Sequence, residues 1–78
     1  MYFVYILKNS ENFLYKGITD NLERRISQHN HNQSAGTRGK GPWKLVYSEI
    51  RASRSLARIR EKYLKSGAGR EFLKSVIK

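Results

Sequence analysis

Two short apolar runs separated by five polar residues constrain this chain more than any other feature. The stretch Phe3 to Gly17 reads FVYILKNSENFLYKG. Phe3 to Leu7 and Phe13 to Ile18 are rich in aromatic and β-branched residues, which favour strands. Lys8 to Asn12 holds two Asn and one Ser and suits a tight connection. A hairpin folded about Ser10 pairs Leu7 with Phe13 and sets Tyr5 directly opposite Tyr15. Cross-strand partners share one face with Cβ atoms about 4.5–5.5 Å apart, so two phenols are expected side by side.

The rest of the chain reads as three helices and one more strand. Asp20 followed by Glu23 resembles a capping box, and a helix is expected from Asn21 to His31. At about 100° per residue, Leu22, Ile26 and His29 fall together, with Arg25 on the shoulder of that face. Arg24, Gln28 and His31 fall on the far side, so Arg24 is expected in water. Asn32 to Pro42 (NQSAGTRGKGP) carries three glycines and two cations and reads as a loop. It is either a flexible connector or a place where backbone N–H groups, Arg38 and Lys40 meet phosphates.

Trp43 to Ile50 alternates Trp43, Leu45 and Tyr47 with Lys44, Val46 and Ser48, the pattern of a third strand. Ser53 is expected to cap a helix running to about Ser66, with Gly67 as its C′ residue. Its apolar stripe reads Leu56, Ile59, Tyr63 and Leu64, with Ala57 at one edge. Glu61 lies just beyond that edge, the only acid among Arg54, Arg58, Arg60, Lys62 and Lys65. Phe72, Leu73, Val76 and Ile77 supply the buried face of a third helix. The order β-β-α-β-α-α predicts an α+β fold, a small three-stranded antiparallel sheet flanked by helices, forming one domain over residues 1–78.

Charge narrows the partners. Sixteen Lys and Arg face six Asp and Glu, a net +10 on 78 residues, which points to a polyanion and first to nucleic acid. No apolar run approaches the ~20 residues a bilayer needs, and no basic segment of the interfacial type stands out. The run at Met1 lacks a signal peptide's basic region. The absence of cysteine rules out disulfides and thiolate metal sites and fits a cytoplasmic protein.

Phe3-Val4-Tyr5 and Tyr15-Lys16-Gly17 resemble the two halves of the GIY-YIG nuclease signature. Leu22-Glu23-Arg24-Arg25-Ile26 with Gln28-His29-Asn30 resembles that family's first helix. Ser53-Arg54-Ser55 with Arg60-Glu61 resembles its second. The resemblance covers nearly the whole chain, and it is to the small stand-alone bacterial members, which are similar to the amino-terminal nuclease domain of the excinuclease C subunit. It implies a metal-dependent endonuclease that hydrolyses phosphodiester bonds in DNA, with a role in repair or recombination or a preference for substrate structure. Tyr5 and Tyr15 become the paired catalytic tyrosines, Arg25 the catalytic arginine, and His29 matches a histidine found in many members. Glu61 becomes the single carboxylate that binds Mg²⁺ or Mn²⁺. Gly17 lets backbone and substrate approach closely, and Lys16, Arg38, Lys40 and Arg58 join it as nucleic-acid contacts.

This set is chemically coherent. Arg25 offers a permanently charged fork to phosphate oxygens. A hard cation can be anchored by one carboxylate while keeping several waters. Surrounding cations are expected to favour a phenolate, so that Tyr5 can accept a proton from water. Tyr15 or His29 can share that role. Phe3, Val4 and Lys16 depart from the signature, Ile18 stands where some relatives carry lysine, and a carboxyl-terminal asparagine of larger relatives has no match. The alternative is a non-catalytic DNA- or RNA-binding module of the same fold. A third reading is an interaction domain that meets a targeting partner through Trp43 or the last helix.

Overall fold

A computed structural model describes residues 1–77. Its elements run β1 (Tyr2–Lys8), β2 (Leu14–Thr19), α1 (Leu22–Asn30), β3 (Lys44–Arg51), α2 (Arg54–Leu64) and α3 (Gly67–Val76). The strands form one antiparallel sheet in the order β2-β1-β3, the α+β arrangement expected. The central strand, β1, is covered on both faces. Its middle residues, Val4 to Leu7, are all buried, which explains a continuous apolar run rather than an alternating one.

Alternate β1 residues feed two cores. Val4 and Ile6 pack with Ala57, Leu64 and Leu73 beneath α2 and α3. Tyr5 and Leu7 pack with Trp43 on the other face, beside Tyr15, Leu22, Ile26 and Leu45. The hairpin register differs from the expected one by two residues: Tyr5 pairs with Gly17, and Leu7 with Tyr15. The five-residue connection sets this register. Asn9 Oδ1 accepts from the Glu11 and Phe13 N–H groups, Asn9 N–H donates to the Phe13 carbonyl, and Asn12 adopts φ 66°. The strands therefore end at the Lys8–Leu14 pair and leave Phe13 outside. A shift of two keeps both tyrosines on one face, but as diagonal neighbours.

β3 departs from strict alternation. Leu45 pairs with Leu7 and Tyr47 with Ile6, so an irregularity at Val46 turns Tyr47 onto the α2/α3 face. Three helix ends also differ from expectation. Asn21, not Asp20, caps α1 by accepting from the Arg24 N–H, and Asp20 pairs instead with the Arg24 guanidinium at 2.7 Å. α2 starts at its expected Ser53 cap but ends at Leu64. Gly67 is then the first residue of α3 rather than a C′ residue, because Ser66 Oγ accepts from Gly69 N–H and opens the next helix. Gly69 permits the tight corner: a Cβ there would stand 2.1 Å from the Tyr63 carbonyl oxygen.

The buried face of α2 is Ala57, Glu61 and Leu64, while Leu56, Ile59 and Tyr63 of the expected stripe are exposed. The small Ala57 lets the helix lie close to β1. A partly buried carboxylate from β3 holds this helix in place. Arg60 donates through Nε and Nη2 to the two Glu49 oxygens, at 2.9 and 3.1 Å. Arg51 and Tyr47 donate to the same carboxylate. A bidentate pair of this kind fixes orientation as well as charge.

Candidate active site

The central strand delivers Tyr5 into the layer between the sheet and α1. Its ring extends across β2 at Gly17, where a Cβ would lie 2.5 Å from Oη. Glycine is needed here for space and not for backbone freedom. Tyr15, next along the same face of β2, has its ring centroid 6.4 Å from that of Tyr5. From α1, His29 inserts between them, with ring centroids 5.8 Å from Tyr5 and 4.8 Å from Tyr15. His29 is 0% exposed.

These groups form one hydrogen-bonded line. Tyr5 Oη is 2.8 Å from His29 Nε2, and His29 Nδ1 is 2.6 Å from Thr37 Oγ1. The Thr37 hydroxyl donates onward to the Ser34 carbonyl. In the tautomer whose Nδ1–H donates to Thr37, Nε2 is left to accept from the Tyr5 hydroxyl. Burial and then the nearby Arg25 charge push the His29 pKa down to about 4, so the ring is neutral at ordinary pH and can accept.

The loop between α1 and β3 is built rather than slack. Ser34 and Thr37 are buried. Asn32 Oδ1 accepts from the Gly39 N–H, Asn9 Nδ2 donates to the Lys40 carbonyl, and Trp43 Nε1 donates to the Thr37 carbonyl. Asn30 and Trp43 exchange two further hydrogen bonds. Trp43 is itself buried in the core, so it offers no surface to a targeting partner.

Arg25 is half-buried and braced. Nη1 donates to Gln28 Oε1 at 3.0 Å and Nη2 to Ser34 Oγ at 3.3 Å. Gln28, expected on the far side of α1, thus belongs to the site. With Arg24, Arg54, Thr19 and Asp20 these two residues line an open pocket of about 400 Å³ at the β2 edge. Arg24 is itself exposed and pairs with Asp20, in keeping with the helix geometry.

The phenol of Tyr5 is not poised as a phenolate. Burial raises its pKa above the ordinary tyrosine value, and the Tyr15 and Glu61 charges add to that rise. Arg25 opposes them but does not win. The expectation that surrounding cations would favour the phenolate is therefore corrected: desolvation is the larger effect.

Glu61 reaches the same neighbourhood from α2. Its side chain is 12% exposed, and its oxygens meet Arg58 Nε at 3.8 Å and Lys65 Nζ at 3.5 Å. Both contacts are longer than a charge-assisted hydrogen bond, and both cations are exposed, so the carboxylate retains lone pairs for another ligand. No group of three or more His, Cys, Asp or Glu that could hold a metal occurs among the described residues. This donor set fits a hydrated Mg²⁺ or Mn²⁺ anchored by one carboxylate and does not fit a closed cage.

The remaining candidates scatter. Arg38 is exposed on the loop and donates to the Asn32 carbonyl. Lys40 is exposed on the same loop. Arg58 is exposed on α2 beside Glu61. Lys16 pairs with Ile6 and so faces α2 and α3, across the sheet from Tyr15. Thr37, Ser34 and Gln28 were missed. Ser and Thr in a glycine-rich loop carry no periodic signal, and only the fold brings that loop under α1.

Comparison with known proteins gives the family. The GIY-YIG catalytic domain matches residues 1–72. The chain belongs to the GIY-YIG family. Among relatives, the UPF0213 protein CPE1444 of Clostridium perfringens is 50% identical over 66 residues, covering 83% of this chain and 71% of that protein. The UPF0213 protein SH2523 of Staphylococcus haemolyticus is 40% identical over 76 residues, covering 96% and 93%. The solution structure of the UPF0213 protein BH0048 of Bacillus halodurans is similar at 34% identity, with a TM-score of 0.57 over 96% of this chain and 84% of that one. The share of each relative that this GIY-YIG chain spans varies, from 93% of SH2523 to 53% of the UPF0213 protein plu4503 of Photorhabdus laumondii.

Proposed function

We propose that residues 1–78 act as a single GIY-YIG nuclease domain, a divalent-metal-dependent endonuclease that hydrolyses phosphodiester bonds, with DNA as substrate. The observation that carries this reading is the convergence on Tyr5: a neutral histidine at hydrogen-bond distance, and an arginine and a carboxylate close enough to act on its titration. A structural tyrosine needs a partner for its hydroxyl, but it needs neither a braced arginine nor a nearly buried acid with loose partners.

Arg25, held by Gln28 and Ser34, would receive the non-bridging oxygens of the scissile phosphate. Attack by water requires a proton acceptor. Tyr5 Oη would take that proton as its own passes to His29 Nε2, so no free phenolate is needed. Thr37 holds the imidazole in the accepting tautomer. Arg25 is one cause of the low His29 pKa, and a phosphate bound at Arg25 offsets that charge and makes the ring a better acceptor when substrate is present. Glu61 would hold the cation, which supplies Lewis-acid stabilisation of the phosphate and leaving oxygen when bound. Gly17 leaves the room across β2 that the Tyr5 ring needs to reach His29.

The test incubates purified protein with branched, duplex and single-stranded DNA in Mg²⁺, Mn²⁺ or EDTA. Cleavage of at least one substrate with metal, and none in EDTA, is expected. Tight binding without cleavage of any substrate in either metal would instead establish a non-catalytic binding module.

A further inference from the structure

A second cationic surface lies across the sheet from the tyrosines. An open groove of about 330 Å³ runs between the hairpin and α3. It is lined by Lys8, Lys16, Arg70 and Lys74, with Leu14, Leu73 and Ile77 as its apolar floor and Asn12 at one end. None of its lining residues is acidic. Lys74 alone of the four cations forms an ion pair among the described residues, with Glu71 at 3.3 Å, and both partners are exposed. Such an arrangement is costly for the free protein. Burial and then the charges of Arg70 and Lys65 hold the Lys16 ammonium below the ordinary lysine range.

The chemistry of the lining selects among ligands. Four cations around one trough ask for more than one negative charge, spaced as along a backbone. The floor asks for an apolar or π face, which a duplex keeps stacked inside itself and an unpaired nucleotide offers. The volume is at the lower end of the range for small-molecule sites and suits a single nucleotide. Lys65 links the groove's charges to the candidate active site. It acts on Lys16 at one end and touches Glu61 at 3.5 Å at the other.

We infer that the groove between the hairpin and α3 holds an unpaired nucleotide of the substrate strand, with phosphates on Lys16, Arg70 and Lys74 and the base over Leu14, Leu73 and Ile77. The inference rests on the nucleic-acid reading above and deepens it, since it favours substrates with a single-stranded segment flanking the cut.

The test is a binding titration of fluorescent oligothymidylate in EDTA, where no cleavage can occur. The variants are Arg70→Ala with Lys74→Ala, and, as a charge-matched control outside the groove, Lys44→Ala with Lys62→Ala. All four residues are exposed, so folding should persist, and circular dichroism checks it. The groove variant should bind at least tenfold more weakly than wild type. Its slope of log affinity against log salt should fall by about 1.4, which corresponds to two single-strand phosphate contacts. The control should stay near wild type. Wild type should also bind an abasic strand of equal length several-fold more weakly. Equal losses in the groove and control variants would overturn the inference, as would equal binding of abasic and normal strands. Failure of wild type to bind any oligonucleotide would instead strike the underlying nucleic-acid reading.

Discussion

The Tyr5 hydroxyl lies 2.8 Å from Nε2 of His29 inside a buried aromatic cluster. This contact distinguishes two phenols that the sequence leaves equivalent. Tyr15 packs against the same imidazole with its ring tilted by 60° and makes no hydrogen bond to it. This geometry is what favours Tyr5 over Tyr15 as the proposed proton carrier.

Replacing Tyr5 by Phe should remove the proton path and lower the cleavage rate about 10²–10⁴-fold. DNA affinity in EDTA should be unchanged. Tyr15→Phe should cost far less. Single-turnover rates of the two variants make the comparison, and an equal loss from both would remove the special place given to Tyr5.

The two adjacent arginines should separate cleanly. Arg25→Ala removes a guanidinium held by Gln28 and Ser34 in the pocket, and cleavage should fall by at least about 10²-fold. Arg24→Ala removes an exposed pair with Asp20 and should leave the cleavage rate within about twofold, because exposed pairs contribute little. Rates that fall equally, with native circular dichroism spectra, would contradict the assignment.

His29 should make the fold sensitive to mild acid. In the folded chain its pKa is pushed down to about 4, whereas an unfolded histidine titrates near its ordinary value of about 6.5. Between those values the unfolded state binds more protons, so stability falls as pH drops. The full effect is up to about 3 kcal/mol. Urea unfolding at pH 7, 6 and 5 should show a steady decline that His29→Gln flattens. A wild-type stability independent of pH over that interval would show that His29 is not held neutral.

Gly17→Ala should act on the site without touching a charge. The added Cβ would meet Tyr5 Oη at 2.5 Å and Cζ at 2.7 Å, and the buried ring cannot move without leaving His29. A loss of about 1–3 kcal/mol in stability is expected, together with cleavage lowered as in Tyr5→Phe. Wild-type activity in Gly17→Ala would mean that the Tyr5–His29 contact is dispensable.

The sequence carried the architecture because most of its signals are local. The β-branched runs, the Ser53 cap and the shoulder position of Arg25 needed no tertiary information. The errors arose where two elements compete for one residue. Asn9 folds back on Phe13 and resets the hairpin register, which alternation cannot reveal when β1 is buried on both faces. Leu56, Ile59 and Tyr63 outweigh Ala57 and Glu61 in hydrophobicity, yet α2 turns the smaller pair inward, because Ala57 allows close approach and Arg60 anchors on Glu49. Ser66 Oγ claims the Gly69 N–H, so a glycine that resembles a helix end begins the next helix instead. Within the candidate site, Tyr5, Tyr15, Arg25, His29 and Glu61 were named through the resemblance to the GIY-YIG signature. Thr37, Ser34 and Gln28 act only by touching those residues, and nothing in their local sequence signals it.

Glu61→Gln tests the central claim most directly, because it keeps the shape of the side chain and removes only the charge proposed to hold the metal. The measurement is a cleavage time course in Mg²⁺ beside a DNA-binding titration in EDTA, for wild type and variant. Binding should equal or exceed that of wild type, since a negative charge near phosphates is gone, and most metal-dependent cleavage should be lost. A Glu61→Gln protein that cuts DNA at the wild-type rate would contradict that claim.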